Sequence, residues 1–547
     1  MADDKPKLRI VSSLAEAETL SDGGPVPPPD SGGKADPKAG GDAASEESKG
    51  AGAAADDGDI DLSCGFLPRT DLGNAERFIK RHGGSFLYVE QWGWLAWDGK
   101  RWNIHEADAI LARAVHQTIK AIASEAKAMA DSEFDICLDE KKDIWISDKL
   151  AGWCLASQSS PHISCVARIV QSHLTASSDS FDADPMAMNV DNGTLRFAVD
   201  EAADYVSFHP HRRSDRMTKI TPVAFNRDAT AKLYDAFLDR VQPADKMQRH
   251  LHAWGGVSLT GAPVAKLSFW YGTGRNGKST LADVWAHVMG DYAQTIPIES
   301  FLDQGRTRRG GEASPDIAAL PGVRCLRTSE PEKGSKLAES LVKLVTGGEP
   351  TRARHLNRDF FEFRPVFKLT MQGNYKPRID GTDEGIWARI LLVPWMVMIP
   401  EEERDAKLPE KLRAEASGIL NRLLDGLRYY MDHGLTPPDE VIEATADYRD
   451  DSDPVGRFLK ECVEPHPEDP GQRVAGHDLY AVYKAWCKTM GERRWSPKSF
   501  SRGLQDHGII RLKSSQIYYL GIKMTKSTVD FDGLGYEEEG DNDRNRR

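Results

Sequence analysis

No run of apolar residues in this 547-residue chain approaches the ~20 needed to cross a bilayer. The longest, Ile390 to Ile399, has ten residues and contains Pro394. The first residues, Met1-Ala-Asp-Asp-Lys-Pro-Lys, lack the apolar core of a secretory signal. The seven cysteines form no CxxC pair, and the HxxC of His162 and Cys165 has no second pair to complete a zinc site. Free thiols in a reducing compartment are expected, with a cytoplasmic location and no membrane partner. Residues 1–60 contain no Phe, Trp or Tyr and are dense in Gly, Pro, Ala and Asp. Too little apolar surface is available there to offset ordering entropy, so a disordered acidic leader is expected over 1–62 and a similar tail over 525–547. Net charge is −13, but residues 1–60 carry −7 of it and residues 525–547 carry −3. The body between them is nearly neutral, so local basic loops can dominate where they occur.

At ~150 residues per domain the chain should hold three or four units. Residues 86–102 place Trp92, Trp94, Trp97 and Trp102 around Asp98-Gly99, a hairpin signal in which both turn positions take positive φ. Four tryptophans suit a stacking platform for unpaired bases, but the core face of a small sheet is the preferred reading. A helix is expected from Ala109 to Met129, inside an α+β N-terminal domain over 63–225. Asp182-Ala183-Asp184 resembles a paired-carboxylate metal site, yet Pro185 follows at once and no third ligand is evident, so it reads as a turn. A helical extension is expected over 401–447.

Between 448 and 524 a helix from His477 to Met490 buries Leu479, Val482, Tyr483, Trp486 and Cys487 on one face. Ser496-Pro497 caps a second helix carrying Phe500 and Leu504, which stops at Gly508. Strands at Ile509–Leu512 and Ile517–Leu520 complete a winged-helix pattern. Arg493, Arg494, Lys498, Arg502, Arg511 and Lys513 give it a basic face suited to duplex or forked DNA, with Lys498 and Arg502 the candidate contacts. Protein contact is the alternative use.

Chemistry concentrates between Lys266 and Trp395. A buried strand, Leu267–Tyr271, runs into Gly272-Thr-Gly274-Arg-Asn276-Gly277-Lys278-Ser279-Thr280, which fits GxxxxGK[ST] at every position. Leu281, Val284, Trp285, Val288 and Met289 then repeat at helical spacing up to Gly290. Strand, glycine loop and helix are the context of a phosphate-binding loop, so ATP with Mg²⁺ is expected here. Lys278 reaches the β- and γ-phosphates, and the Ser279 hydroxyl holds magnesium. A strand over Val323–Thr328 ends at Ser329-Glu330. Glu330, with Glu332 as fallback, is placed to orient water and magnesium. An amphipathic helix is expected over 335–346 through Leu337, Leu341, Leu344 and Val345. A hairpin from Thr351 to Phe363 then places Arg354, His355 and Arg358 near its tip, for phosphate contacts on a DNA strand or as a solvated basic turn. Val366–Met371 leads to Gly373-Asn374, where Asn374 can sense the γ-phosphate. Arg389, before the apolar Ile390–Val393, is a candidate arginine finger for a neighbouring subunit.

The ordered series GTGRNGKST, SEPEKG, LVKLVTGGEPTRARHLNRDFFEFRP and GNYKPRIDGTDEGIWARI resembles the superfamily 3 helicase module of phage and plasmid primase–helicases, a group that includes poxvirus replicative helicases. NVDNGTLRF at 189–197 and RMTKITPVAF at 216–225 resemble its pre-helicase domain. The resemblance implies an α/β fold: a P-loop AAA+-like core over 226–400, flanked by the α+β domain and the winged helix. It implies Walker A roles for Lys278 and Ser279, the Walker B carboxylate for Glu330, the first sensor for Asn374 and the finger for Arg389. The hairpin arginines would track the strand. It further implies an ATP-dependent DNA helicase of phage or plasmid replication in a bacterial cell, working as a hexameric ring on single-stranded DNA, with replication loaders as partners. Ser329 stands where many P-loop ATPases carry Asp, and Ala388 where relatives often carry a second Arg. Relatives often carry a primase–polymerase domain upstream, where this chain has its acidic leader, so primase activity is not expected. A DNA-binding ATPase switch or initiator without unwinding is the alternative.

Overall fold

The computed structural model describes residues 57–198, 205–303, 305, 315–354, 359–380, 384–469, 471–492 and 494–532. At its centre lies an all-parallel sheet of five strands, numbered here within that sheet. They are β1 (Leu267–Tyr271), β2 (Ala293–Ile296), β3 (Cys325–Thr328), β4 (Lys368–Gly373) and β5 (Ile390–Pro394), in the order β2-β3-β4-β1-β5. Leu267 pairs with both Leu369 and Ile390, so β1 lies between β4 and the edge strand β5. Every residue of β4 is buried, the polar Lys368, Thr370 and Gln372 included, as in a strand covered on both faces.

Alternation along β1 sends side chains into two cores. Trp270 packs with Trp254, Trp285, Trp395 and Leu281 on one face. Phe269 joins Leu369, Met371, Leu392 and Phe301 on the other. The first core also takes Leu412, Leu420, Leu423 and Leu427 from helices Leu408–Ala414 and Ala416–His433. It takes Met188, Val190, Leu195 and Phe197 from a three-stranded antiparallel sheet (Ala187–Val190, Gly193–Phe197, Val206–His209) as well. The boundaries expected at 225 and 401 therefore do not separate cores. Helix Asp245–Val257 meets helix Ala416–His433 through glycines, because a Cβ on Gly256 would stand 2.2 Å from the Leu427 nitrogen.

N-terminal to this, helices Asp57–Gly65, Asp71–His82, Ala107–Ala130, Ile146–Ser157 and Ser160–His173 accompany the sheet Phe86–Val89, Gly93–Trp97 and Trp102–Asn103. The first helix starts five residues before the leader was expected to end. Trp94 and Trp102 are buried, and Trp92 and Trp102 sit edge-on to Phe181, as a sheet core requires. The turn differs from the two-residue form expected. Trp97 pairs with Trp102, and Asp98 Oδ1 accepts from the N–H groups of Lys100 and Arg101, so only Gly99 needs positive φ. Asp182 accepts from the Thr218 N–H and Asp184 pairs with Arg196, which uses both carboxylates in a turn.

The C-terminal domain gathers helices Pro454–Cys462, Gly476–Met490 and Pro497–Asp506 around Phe458, Tyr483, Trp486, Phe500 and Leu504. Ser496 caps the third helix by accepting from the Ser499 N–H. Ile510–Lys513, Ile517–Leu520 and Arg473–Ala475 form an antiparallel sheet beside it. Phe531, on helix Val529–Asp532, is buried in the same core, so the chain is packed past the expected tail boundary at 525. All seven cysteines are unpaired. Among the described residues no helix is long and apolar enough to cross a membrane.

Candidate nucleotide site

The loop between β1 and helix Lys278–Met289 lies at the C-terminal edge of the sheet, where open parallel sheets bind ligands. Gly274, Arg275 and Gly277 have φ of 93°, 55° and 83°. Successive residues with positive φ turn backbone N–H groups into an anion-binding concavity, and the helix N-terminus adds partial positive charge. Gly272 is needed for a different reason. A Cβ there would stand 2.3 Å from the Trp395 carbonyl oxygen, so the loop folds tightly onto the end of β5. Asn276 donates to that carbonyl at 3.1 Å, and Ile399 N–H donates to Arg275 O at 2.9 Å, which fixes the loop from below.

Lys278 is 3% exposed. Its ammonium donates to Gly272 O at 2.8 Å, Asn276 Oδ1 at 3.2 Å and Asn374 Oδ1 at 3.4 Å. Burial pushes the Lys278 pKa down, and the nearby Glu330 carboxylate pushes it back up. Asn374, just past β4, donates its Nδ2 to Glu330 Oε2 at 3.0 Å. Lys278, Asn374 and Glu330, expected from three separate motifs, thus form one hydrogen-bonded chain across the ends of β1, β4 and β3. Glu332 lies in the following turn, where its backbone carbonyl accepts from the Ser335 N–H at 3.2 Å. Ser329 accepts from the Ile298 N–H at 3.0 Å and braces the loop.

Ser279 and Glu330 are both exposed, and Thr280 is half-buried. A hydroxyl and a carboxylate are both hard oxygen donors, the kind that magnesium takes. No group of three or more His, Cys, Asp or Glu side chains forms an all-protein metal cage among the described residues.

Arg389 stands elsewhere. It precedes β5, whose Ile390 pairs with Leu267 while Pro394 pairs with Tyr271. Four residues of strand put it ~13 Å from the loop, at the opposite edge of the sheet. There its guanidinium donates to Thr346 Oγ1 at 3.2 Å and to Gly385 O at 2.5 Å. The basic hairpin exists as Thr351–Ala353 paired with Phe361–Phe363. Arg354 lies 4.8 Å from the Phe360 ring centroid, while His355 and Arg358 lie outside the described residues. Lys498 and Arg502 are exposed on the third helix of the C-terminal domain.

Motif reading passed over Lys376. Its ammonium packs on the rings of Tyr271 and Tyr448 and pairs with Asp451 at 3.0 Å, tying the end of β1 to helix Asp439–Ser452. Its place in the GNYKPR segment, two residues after Asn374, was the available signal.

The fold and the loop define a mixed α/β protein with a P-loop at the edge of a parallel sheet. Family models described as "D5 N terminal like" and "Poxvirus D5 protein-like" match residues 75–243 and 450–513. Over 281 residues the chain is 26% identical to "Putative helicase L207/L206" of Acanthamoeba polyphaga mimivirus, covering 48% of this chain and 29% of that protein. It is 27% identical over 214 residues to "Putative primase C962R" of African swine fever virus, covering 39% of this chain and 22% of that one. The chain spans under a third of these relatives' lengths. A solved structure, the apo NrS-1 C-terminal region, aligns at 11% identity and TM-score 0.39 over 64% of this chain and 85% of its own. The chain is thus similar to poxvirus D5-type proteins and to proteins of large DNA viruses named as putative helicases and primases.

Proposed function

We propose that the protein is an ATP-driven DNA helicase of replication, with ATP hydrolysed between subunits of a ring. The observation that carries this reading is the Lys278–Asn374–Glu330 chain beside the P-loop, combined with an arginine at the opposite sheet edge. A group ~13 Å from its own loop does not reach the nucleotide that loop would hold, so in this reading Arg389 completes the site of an adjacent copy. The strand order β2-β3-β4-β1-β5 supports an AAA+-like core, and the helix-helix-hairpin arrangement after 454 supports a winged helix.

Each side chain then has a task. Lys278 leaves the Gly272 carbonyl for phosphate oxygens, exchanging a neutral acceptor for a charged one, which strengthens its hydrogen bonds. Its depressed pKa recovers as phosphate charge replaces part of its lost solvation. Asn374, losing Lys278 on one side, keeps Glu330 oriented on the other, and that carboxylate aligns the attacking water and accepts its proton. Ser279 and Glu330 would hold a magnesium ion, which when bound would supply positive charge against the phosphates. Arg389 of the adjacent copy stabilises charge on the transferring group. Hairpin residues Arg354, His355 and Arg358 contact single-stranded DNA in the ring, and Lys498 and Arg502 contact duplex at the fork. Loader proteins are expected partners, and the primase activity named for one relative is not proposed for this chain.

The test measures ATP turnover with and without single-stranded DNA, particle mass, and displacement of a strand from a forked duplex. DNA-stimulated turnover by an assembled particle with displacement supports the reading. Slow turnover without displacement would favour an initiator or switch. Full-speed turnover by a lone protomer would remove the shared site.

A further inference from the structure

A cleft of about 990 Å³ separates the loops after β3 and β4 from the C-terminal domain. Lys336 and Arg378 line one wall, and Arg494, Lys498, Arg502 and Arg511 line the other. Among the described residues two carboxylates, Asp380 and Asp506, line it with them. Asp380 is shared, at 3.3 Å from Lys336 and 2.8 Å from Arg378, and Lys336 also reaches Asp303 at 3.0 Å. The four cations of the C-terminal domain are exposed and make no ion pair among the described residues. Like charges facing each other across a cleft repel unless an anion lies between them. A single phosphate cannot touch six side chains on two walls, whereas a nucleic-acid strand carries one charge per ~3.4 Å. Trp495, half-buried in the same lining, offers a ring on which a base can stack.

The core wall of the cleft continues from the nucleotide site. Lys336 follows Glu330 by six residues, and Arg378 follows Asn374 by four. The two segments are paired: Arg378 N–H donates to Ser335 O at 2.7 Å, and Leu337 N–H donates to Arg378 O at 2.9 Å. The pairing thus ties together the two segments that carry Glu330 and Asn374.

We infer that the cleft binds a nucleic-acid backbone gripped jointly by the core and the C-terminal domain, and that its occupancy is transmitted to Glu330 and Asn374 through the paired loops. The inference rests on the reading that the protein acts on DNA. It adds Lys336, Arg378 and Arg511 to the contacts and gives them a regulatory role.

Anisotropy of fluorescein-labelled oligo-dT and of a blunt duplex, titrated with the full chain without nucleotide from 50 to 200 mM salt, tests the site. Lys336→Ala and Arg378→Ala should each weaken binding several-fold and lower the salt slope by ~0.7 on single strands or ~0.9 on duplex. Asp380→Asn, which frees Arg378 and leaves Lys336 with Asp303 alone, should tighten binding, an effect that a folding defect does not produce. Weakening with one probe alone assigns the cleft to that form of DNA. Wild-type affinity and slope in the two alanine variants, or unchanged affinity in Asp380→Asn, would overturn the site. Wild-type protein that binds neither probe would instead overturn the reading that the protein acts on DNA. For the transmission, Lys336→Ala should need several-fold more DNA for half-maximal stimulation of ATP turnover, and an unchanged requirement would remove it.

Discussion

Glu330 and Asn374 lie 44 residues apart in the chain and meet at 3.0 Å, where the amide Nδ2 of Asn374 donates to a carboxylate oxygen of Glu330. The other end of that amide accepts from Lys278. One neutral side chain thus spaces a cation from an anion that would otherwise collapse onto each other.

Asn374→Ala should therefore cost turnover rather than binding. Removing one oriented polar group from a transition-state array costs ~10²–10³ in kcat. ATPase kinetics beside titration of a fluorescent nucleotide should show that loss, with affinity changed less than about threefold. Lys278→Ala should abolish turnover and weaken nucleotide binding as well.

Arg389→Ala should reduce turnover by ~10³ or more while nucleotide still binds, the effect of losing an arginine finger. Because Arg389 also braces Gly385 and Thr346, its melting temperature should be measured in parallel. A variant of wild-type stability and near-normal turnover would exclude the shared site.

Gly426→Ala should destabilise the core by ~3 kcal/mol or more, since its Cβ would stand 2.0 Å from the His252 carbonyl oxygen and overpacking of rigid backbone is not relieved by rotamer change. Gly152→Ala gives the contrast. That glycine lies within helix Ile146–Ser157 with open space around it, so alanine should stabilise by up to ~1 kcal/mol. Urea unfolding of both variants checks the pair.

His250, 1% exposed on helix Asp245–Val257, has its pKa depressed to about 4 by burial, from an ordinary 6.5. The unfolded chain takes up this proton first as pH falls. The stabilisation is therefore full well above pH 6.5 and is lost progressively down to about 4. Between pH 7 and 5 this one group should remove ~2 kcal/mol, and His250→Leu should flatten that part of the urea-midpoint profile.

Local elements were legible where a few contiguous residues decide the backbone. Leu267–Tyr271, the glycine loop and the helix ending before Gly290 stand where periodicity and turn chemistry place them. The helix expected from 335 starts at Glu339, because Lys336 and Leu337 bridge to Arg378 and Leu302 first. Its buried residues are Val342, Val345 and Thr346, while Leu344 faces out. Periodicity cannot register a strand-like pairing with a partner more than 30 residues away.

The amino-acid sequence alone specified the P-loop, since glycine spacing and one lysine act within nine consecutive residues. It also supplied Glu330, Asn374 and Arg389 as strand-end polar residues without saying which of them meet. Parallel pairing of β3, β4 and β1 joined the first two to Lys278, and the same pairing set Arg389 at the far edge. The basic face of the C-terminal domain was legible, but not the cleft it forms with Lys336 and Arg378, because the two walls come from segments more than 110 residues apart that meet only when that domain packs on the core. Short-range sterics and hydrogen bonding are encoded by neighbours in the chain, whereas charge placed across a gap depends on how whole elements pack.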